Sequence, residues 1–188
     1  MKICIAGWYF HPPLLIAIAN SPYDAFVVKH REGNTYGVRS VVVENHGLEF
    51  GCYHHYLMNH WDGASDVLFM QDDGEFRDLS ALADIDALMF KGHIDQAFIF
   101  RDEYEEFMNA GHSGRAFWCR GSLLKKLRDS GGFVVDWSNT GNIDSREANY
   151  AVIEFAKKMR NESRCGWISI IPGLVLNFSL AKPNSLVS

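Results

Sequence analysis

The sequence predicts one α/β domain: a mostly parallel central sheet with helices on both faces and a small antiparallel edge near the C-terminal end. Three observations lead there. Short apolar strand runs alternate with helical stretches, the order that builds a parallel sheet from crossover units. Val67-Leu-Phe-Met70 is a continuous apolar run of the kind found in strands buried on both faces. That run breaks at once into Asp72-Asp73-Gly74, so carboxylates stand at the carboxyl end of a central strand, where open α/β sheets bind ligands.

Lys2 to Ala6 reads as the first strand, and Gly7-Trp-Tyr-Phe10 as its exit. Pro12-Pro13 opens a helix reaching Asn20, because a proline in a first turn loses no hydrogen bond. Ala25 to Lys29 is a second strand, His30 to Gly37 a polar loop and Ser40 to Val43 a third strand. From Phe50 to Trp61 the residues Tyr53, Tyr56/Leu57 and His60/Trp61 recur at helical spacing, with Glu49 favourably placed at the positive end of that helix. After the central strand, Asp78 caps a short helix carrying Leu79, Leu82 and Ile85.

Phe98-Ile-Phe100 is read as a strand and Tyr104 to Met108 as a helical turn. Arg115 to Arg120 forms a late strand; Gly121-Ser122 then starts a helix with Leu123, Leu124 and Leu127 inward and Lys125, Lys126 and Arg128 outward. Phe133 to Val135 is a short strand ending in Asp136-Trp137, and Asp144 caps the longest helix, with Ala148, Val152, Phe155, Ala156 and Met159 as its apolar stripe. Gly166 to Phe178 reads as two short strands broken at Pro172-Gly173, a hairpin or sheet edge. The domain is expected over residues 1–180, with 181–188 as a tail.

With 188 residues, 47% of them hydrophobic and 22% charged, the chain is long enough for one sizeable core. A formal charge of −5 without any Lys/Arg stripe argues against a nucleic-acid binder working through phosphates. Cys4, Cys52, Cys119 and Cys165 are scattered, which suggests neither a zinc cluster nor a disulfide framework and fits reduced thiols in the cytoplasm. No apolar run reaches about 18 residues, so neither a transmembrane segment nor a signal peptide is expected.

The chemistry-bearing pattern is a combination. Asn45-x-Gly47-x-Glu49 stands at one strand exit and Gln71-Asp72-Asp73 at the next, separated by the length a crossover requires, so two adjacent strand ends are expected to face one crevice. Adjacent carboxylates there suit a hard divalent cation that holds a diphosphate. Asp-Asp-Gly is equally an ordinary turn, in which Asp bonds its own backbone and Gly takes a positive φ.

Val43-Glu-Asn-His-Gly-Leu-Glu49, Tyr53-x-x-Tyr56 and Asp66-Val-Leu-Phe-Met-Gln-Asp-Asp73 together resemble the signature of small glycosyltransferase-like proteins of the A-type fold. Phe117-Trp-Cys-Arg-Gly-Ser-Leu-Leu124 is similar to the acceptor-side strand and helix of such folds. The resemblance implies transfer of a sugar from a nucleotide-sugar donor to a glycan or other hydroxyl acceptor, assisted by Mn²⁺ or Mg²⁺. It implies Asp73 as metal ligand, with Asp72 as second ligand or sugar contact; Gln71 stands where the family carries an acid. Some related proteins use basic side chains instead of a metal, a role open here to Arg39 or Lys91. A nucleobase would lie beside Gly7, Trp8, Tyr9 and Phe10, one of these aromatics stacking on it while the others pack inward. Asp24 would reach the base or ribose, or be a turn residue, and Asn45 and Gly47 would touch the sugar.

Glycosyl transfer requires neutralised charge on a departing diphosphate and, for inversion, a base for the incoming hydroxyl. Asp136 is the leading candidate base, with Glu49 and Asp95 behind it; Asp136 also reads as a strand-end turn residue. His54, His55 and His60 bring only His55 and His60 near one helix face, at the i, i+5 spacing that suits zinc poorly. His93 is a phosphate contact or a loop residue. Two other function classes remain: a metal-dependent phosphoesterase or nucleotidyltransferase, and a degenerate A-type fold that binds a glycan or partner without turnover.

Overall fold

Strand β1 (Lys2–Gly7) is the centre about which the sheet is ordered. β2 (Asp24–Lys29) pairs with it in parallel on one side and β4 (Val67–Gln71) on the other, so that Ile5 faces Val27 across one ladder and Met70 across the other. The structure, a computed structural model, describes residues 1–76, 79–92, 95–98, 116–133, 165–167 and 174–176. Beyond β2 lies β3 (Arg39–Val42), also parallel. Beyond β4 the direction reverses: β7 (Ala116–Cys119) runs antiparallel to it, β6 (Gln96–Phe98) antiparallel to β7, and β8 (Cys165–Trp167) parallel to β6. The order is β3-β2-β1-β4-β7-β6-β8.

The two-residue period of a strand explains why both faces are covered. Ile3 and Ile5 of β1, Leu68 and Met70 of β4, and Ala116 and Trp118 of β7 enter one apolar cluster. Leu14, Leu15 and Ile18 of helix α1 (Pro12–Ala19) and Leu82 and Ile85 of α3 (Ser80–Gly92) close it. The intervening Cys4, Val67, Phe69, Phe117 and Cys119 face the other side, against Phe50, Tyr53 and Leu57 of α2 (Leu48–Asn59) and Leu123, Leu124 and Leu127 of α4 (Gly121–Asp129). Aromatic rings fill this second layer: Phe69 stacks on Phe117 at 5.0 Å, and Tyr53 meets Phe69 edge-on at 5.3 Å. The expected parallel sheet with helices on both faces is therefore what the chain forms.

Several expectations are corrected. The strand ends at 43 and 71 are not neighbours, because β2 and β1 lie between β3 and β4. Sequence spacing alone fixes a crossover and not how many strands it crosses. Of the hairpin or sheet edge expected over 166–178, the described strands form an edge and do not pair with each other: β8 closes one side of the main sheet, whereas β9 (Leu174–Leu176) pairs antiparallel with β5 (Gly74–Phe76) in a separate two-stranded sheet. The chain after Asp73 thus continues as a strand. Helix α2 begins two residues before Phe50, and α3 extends to Gly92. The turn at 104–108, the strand beyond Phe133, the helix after Asp144 and the tail lie outside the described residues. Among the described residues no helix is long and apolar enough to cross a membrane.

Candidate functional site

The chain leaves β1 for β2 on one side and returns through α2 to β4 on the other, so the order switches between β1 and β4. Open α/β sheets bind ligands at the carboxyl ends of the strands at such a point. Here that place is a cleft of about 280 Å³. Ala6 and Gly7 end β1 at its floor, beside Gln71 and Asp72 at the end of β4. Gly7 is required by packing, since a Cβ there would lie 2.8 Å from Val27 Cγ1.

One wall is the aromatic loop after β1. The Trp8 N–H donates to Asp72 Oδ2 at 2.9 Å, the Tyr9 N–H to Oδ1 at 3.1 Å and the Phe10 N–H to Oδ2 at 2.6 Å. Three successive amides thus converge on one fully buried carboxylate. Burial pushes the Asp72 carboxyl up, the three amides pull it down, and the neighbouring Asp73 adds to the rise. Phe10 takes a φ of 56°, a left-handed conformation that turns the chain into α1. On the outer side, Arg31 donates from Nε and Nη2 to the Trp8 carbonyl at 2.9 and 2.5 Å, and its guanidinium lies 5.4 Å from the Trp8 ring centroid. Trp8 and Tyr9 keep 43% and 36% of their surface exposed, unlike the core aromatics, and both line the cleft.

The opposite wall is the first turn of α2, where Leu48, Glu49 and Cys52 face the cleft. Gly47 and Leu48 both have positive φ, 73° and 52°, which turns the chain into the helix. Gly51 lets the His46 carbonyl settle onto that turn, since a Cβ at 51 would stand 1.7 Å from the His46 oxygen. His30, just past β2, holds the wall from behind: Nε2 donates to the Leu48 carbonyl at 2.9 Å and lies 3.2 Å from Cys52 Sγ, with Nδ1 3.4 Å from the Val43 carbonyl. Burial, reinforced by Glu49 and Asp72, pushes the Cys52 thiol well up, which favours the protonated form of this packed side chain.

Of the residues singled out from the sequence, Gly7, Trp8, Tyr9, Glu49, Gln71 and Asp72 surround this cleft. Asn45 and Gly47 shape the approach to α2 without lining it. Asp73 is buried, at 1% exposure, and is not on the cleft surface. Asp24 and Arg39 are at the other end of the sheet. They start β2 and β3, where Asp24 pairs with Arg39 and with Lys2 at 2.9 Å, and Lys2 also reaches Asp62 at 3.3 Å. Asp95 is likewise on that far edge, because it precedes β6, which runs in the direction of β4; Arg120, which follows antiparallel β7, comes back to the same edge with its Nε 3.9 Å away. His93 and Asp136 lie outside the described residues, as does the side chain of Lys91. His60 stacks on Phe26 at 4.3 Å, a packing role.

His30, Leu48 and Cys52 were missed, although two signals pointed to them. His30 immediately follows a strand on its carboxyl side, and Leu48, Glu49 and Cys52 share one helix face at spacings of one and four.

The described residues do not assemble the cation site implied by adjacent carboxylates. Asp72 offers its two oxygens to three amides, Asp73 is turned into the protein and Gln71 carries no charge. Among the described residues no group of three His, Cys, Asp or Glu side chains converges as metal ligands. Glu49 is the other carboxylate that lines the cleft.

The order switch, the glycine floor and the two walls define an α/β domain with its ligand cleft at the β1/β4 carboxyl edge. No family model matches the chain, and no curated protein does. Among solved structures, it is similar to Staphylococcus aureus TarS residues 1–349, with a TM-score of 0.59 and 16% identity over 90% of this chain and 58% of that one. It is also similar to a putative glucose-1-phosphate thymidylyltransferase from Bacillus anthracis solved in complex with a sucrose, with a TM-score of 0.53 and 7% identity over 90% and 86% of the two chains. A197 from STIV follows at a TM-score of 0.50 and 10% identity, over 90% and 82%. The fold is thus the A-type, Rossmann-like α/β fold that these structures share. The chain spans 58% of the TarS structure.

Proposed function

We propose that the chain is a glycosyltransferase that takes a sugar from a nucleotide-sugar donor and passes it to a glycan or other hydroxyl acceptor. The observation that carries this reading is the cleft at the β1/β4 switch, with an exposed Trp8-Tyr9 platform on one wall and Glu49 on the other. In this reading the nucleobase stacks on Trp8 or Tyr9, and the donor sugar lies over Gln71 and Asp72 toward α2. Glu49 accepts the acceptor hydroxyl's proton, a role also proposed for Asp136. Buried, reduced Cys4, Cys52 and Cys119 suit a cytoplasmic setting.

Calorimetric titration with UDP, GDP and their sugar conjugates tests the proposal. Binding of one nucleotide family, with quenching of tryptophan emission by Trp8, is expected. Failure of all of them to bind would sink it. A second reading, donor binding without turnover, draws on Gln71 standing where the related signature has an acid. It predicts nucleotide-sugar binding with no sugar released to any hydroxyl acceptor or to water.

A further inference from the structure

We propose that Arg31, and not a divalent cation at Asp72-Asp73, neutralises the diphosphate of the donor. The inference rests on the nucleotide-sugar reading and adds to it how the site holds charge. A cation bridging phosphate oxygens needs anionic oxygens turned toward it, whereas the Asp72 oxygens accept the amides of residues 8–10 and Asp73 is buried. Positive charge for a diphosphate must then come from the chain.

The other described cations at the ends of β1, β2 and β3 are engaged. Lys2 and Arg39 share Asp24 at the far edge, and Lys29 is buried, 3.4 Å from Glu32 and 3.1 Å from the Gly33 carbonyl. Arg31 differs in three respects. It is exposed and makes no ion pair among the described residues. Its guanidinium is held in place by two hydrogen bonds to the Trp8 carbonyl and by the rings of Trp8 and Phe10, each 5.4 Å away. Trp8 in turn lines the cleft, so the guanidinium is tied directly to a residue of the cleft wall, on its outer side.

A guanidinium has five N–H donors, and two of Arg31's point at one carbonyl. The remaining edge is a preorganised fork of the geometry that grips phosphate oxygens two at a time. The same contact that fixes the stacking platform therefore fixes a charge beside it. Base and diphosphate would be read by one structural unit, the Asp72–Trp8–Arg31 chain of contacts.

The test is calorimetry with two ligand pairs, uridine with UDP and guanosine with GDP, in EDTA and in Mn²⁺, on the natural chain, Arg31→Gln and Arg31→Lys. The expected result is diphosphate binding in EDTA that Mn²⁺ leaves unchanged. Arg31→Gln weakens the diphosphate about tenfold, the scale of a charge-assisted contact. The nucleoside loses distinctly less than the diphosphate, and Arg31→Lys recovers part of the diphosphate's extra loss. Binding that appears only with Mn²⁺ overturns the inference while leaving the nucleotide-sugar reading intact. Equal weakening of nucleoside and diphosphate by Arg31→Gln also overturns it, because Arg31 would then only brace the loop, and so does no effect. Absence of nucleotide binding in every buffer overturns both.

Discussion

The Trp8 amide and the Asp72 carboxylate, 64 positions apart in sequence, meet at 2.9 Å, and this contact ties together the two strand ends that flank the cleft. Because the next two amides reach the same carboxylate, the loop from Trp8 to Phe10 is fixed from below by a single side chain. Asp72→Asn tests the arrangement. The amide oxygen can keep the Trp8 and Phe10 bonds, but its NH₂ then faces the Tyr9 N–H. Relief of the buried charge offsets part of that loss, so a net destabilisation of about 1 kcal/mol is expected. It should show as a lower urea midpoint together with altered tryptophan emission; an unchanged midpoint would mean that the loop is held by its other contacts.

Gly51→Ala probes the opposite wall. A methyl at that position would overlap the His46 carbonyl, which is backbone and cannot rotate away. The turn of 44–47 must lift from α2, and overpacking of this kind costs about 1–3 kcal/mol. Since Leu48 and Glu49 ride on the displaced segment, nucleotide affinity should fall along with stability. Gly37→Ala is a suitable contrast: its Cβ meets nothing within 4 Å, so only the strain of its φ of 90° is felt.

The acid limb of stability follows from the far edge of the sheet. The Asp24 carboxyl is pulled down foremost by the Lys2 ammonium, and also by Arg39. At Asp62 burial pushes upward but is outweighed by the Ser65 hydroxyl, the Ser65 and Ala64 amides and Lys2. A folded-state value depressed below the ordinary 3.8 means that stability is present in full above that pH and is lost as pH falls through the lower folded-state values. Both carboxylates are more than a third exposed, so screening limits each to about 0.5 kcal/mol. Urea midpoints between pH 5 and pH 2 should fall more steeply for the natural chain than for Asp24→Asn or Asp62→Asn. Parallel curves would show that these pairs contribute nothing measurable.

The sheet was legible because burial on both faces leaves a plain signature, as in Val67-Leu-Phe-Met70, and because the leucines of α4 sit at helical spacing beside outward lysines. The strand order was not. Nothing local in β3 or β4 says that β1 and β2 lie between them; Asp24 and Arg39 stand at the opposite edge for a different reason, because each begins a strand parallel to β1. The role of Asp72 was hidden for a related reason: its partners are backbone amides of another strand's exit, and amides leave no mark in a sequence. His30 was passed over because a histidine in a polar loop looks ordinary until the carbonyl it holds, that of Leu48, is seen.

Trp8 and Phe10 separate platform from packing. Trp8 is exposed and lines the cleft, whereas the Phe10 ring lies against Gly33, where a Cβ would come within 2.3 Å of it. If a base stacks on this loop, Trp8→Ala should weaken nucleoside binding about tenfold, the range of one base–aromatic stack, with little change in the urea midpoint. Phe10→Ala should do the reverse, lowering stability first. Equal nucleoside affinity in Trp8→Ala and the natural chain would remove Trp8 from the donor site.

Glu49 is the most direct probe of turnover. It lies in the first turn of α2, at the positive end of the helix dipole, and it faces the cleft opposite the aromatic loop. A carboxylate that takes the acceptor's proton contributes to the chemical step and little to donor binding, so Glu49→Gln should leave UDP or GDP affinity unchanged and slow transfer at least about 100-fold. A residue that only caps the helix behaves differently: its amide lowers stability by a few tenths of a kcal/mol and leaves kcat alone. Measuring donor affinity, urea midpoint and transfer rate on the same variant therefore distinguishes the two roles. Full transfer activity in Glu49→Gln would shift the proton acceptor to Asp136, where the matching substitution is the next to make.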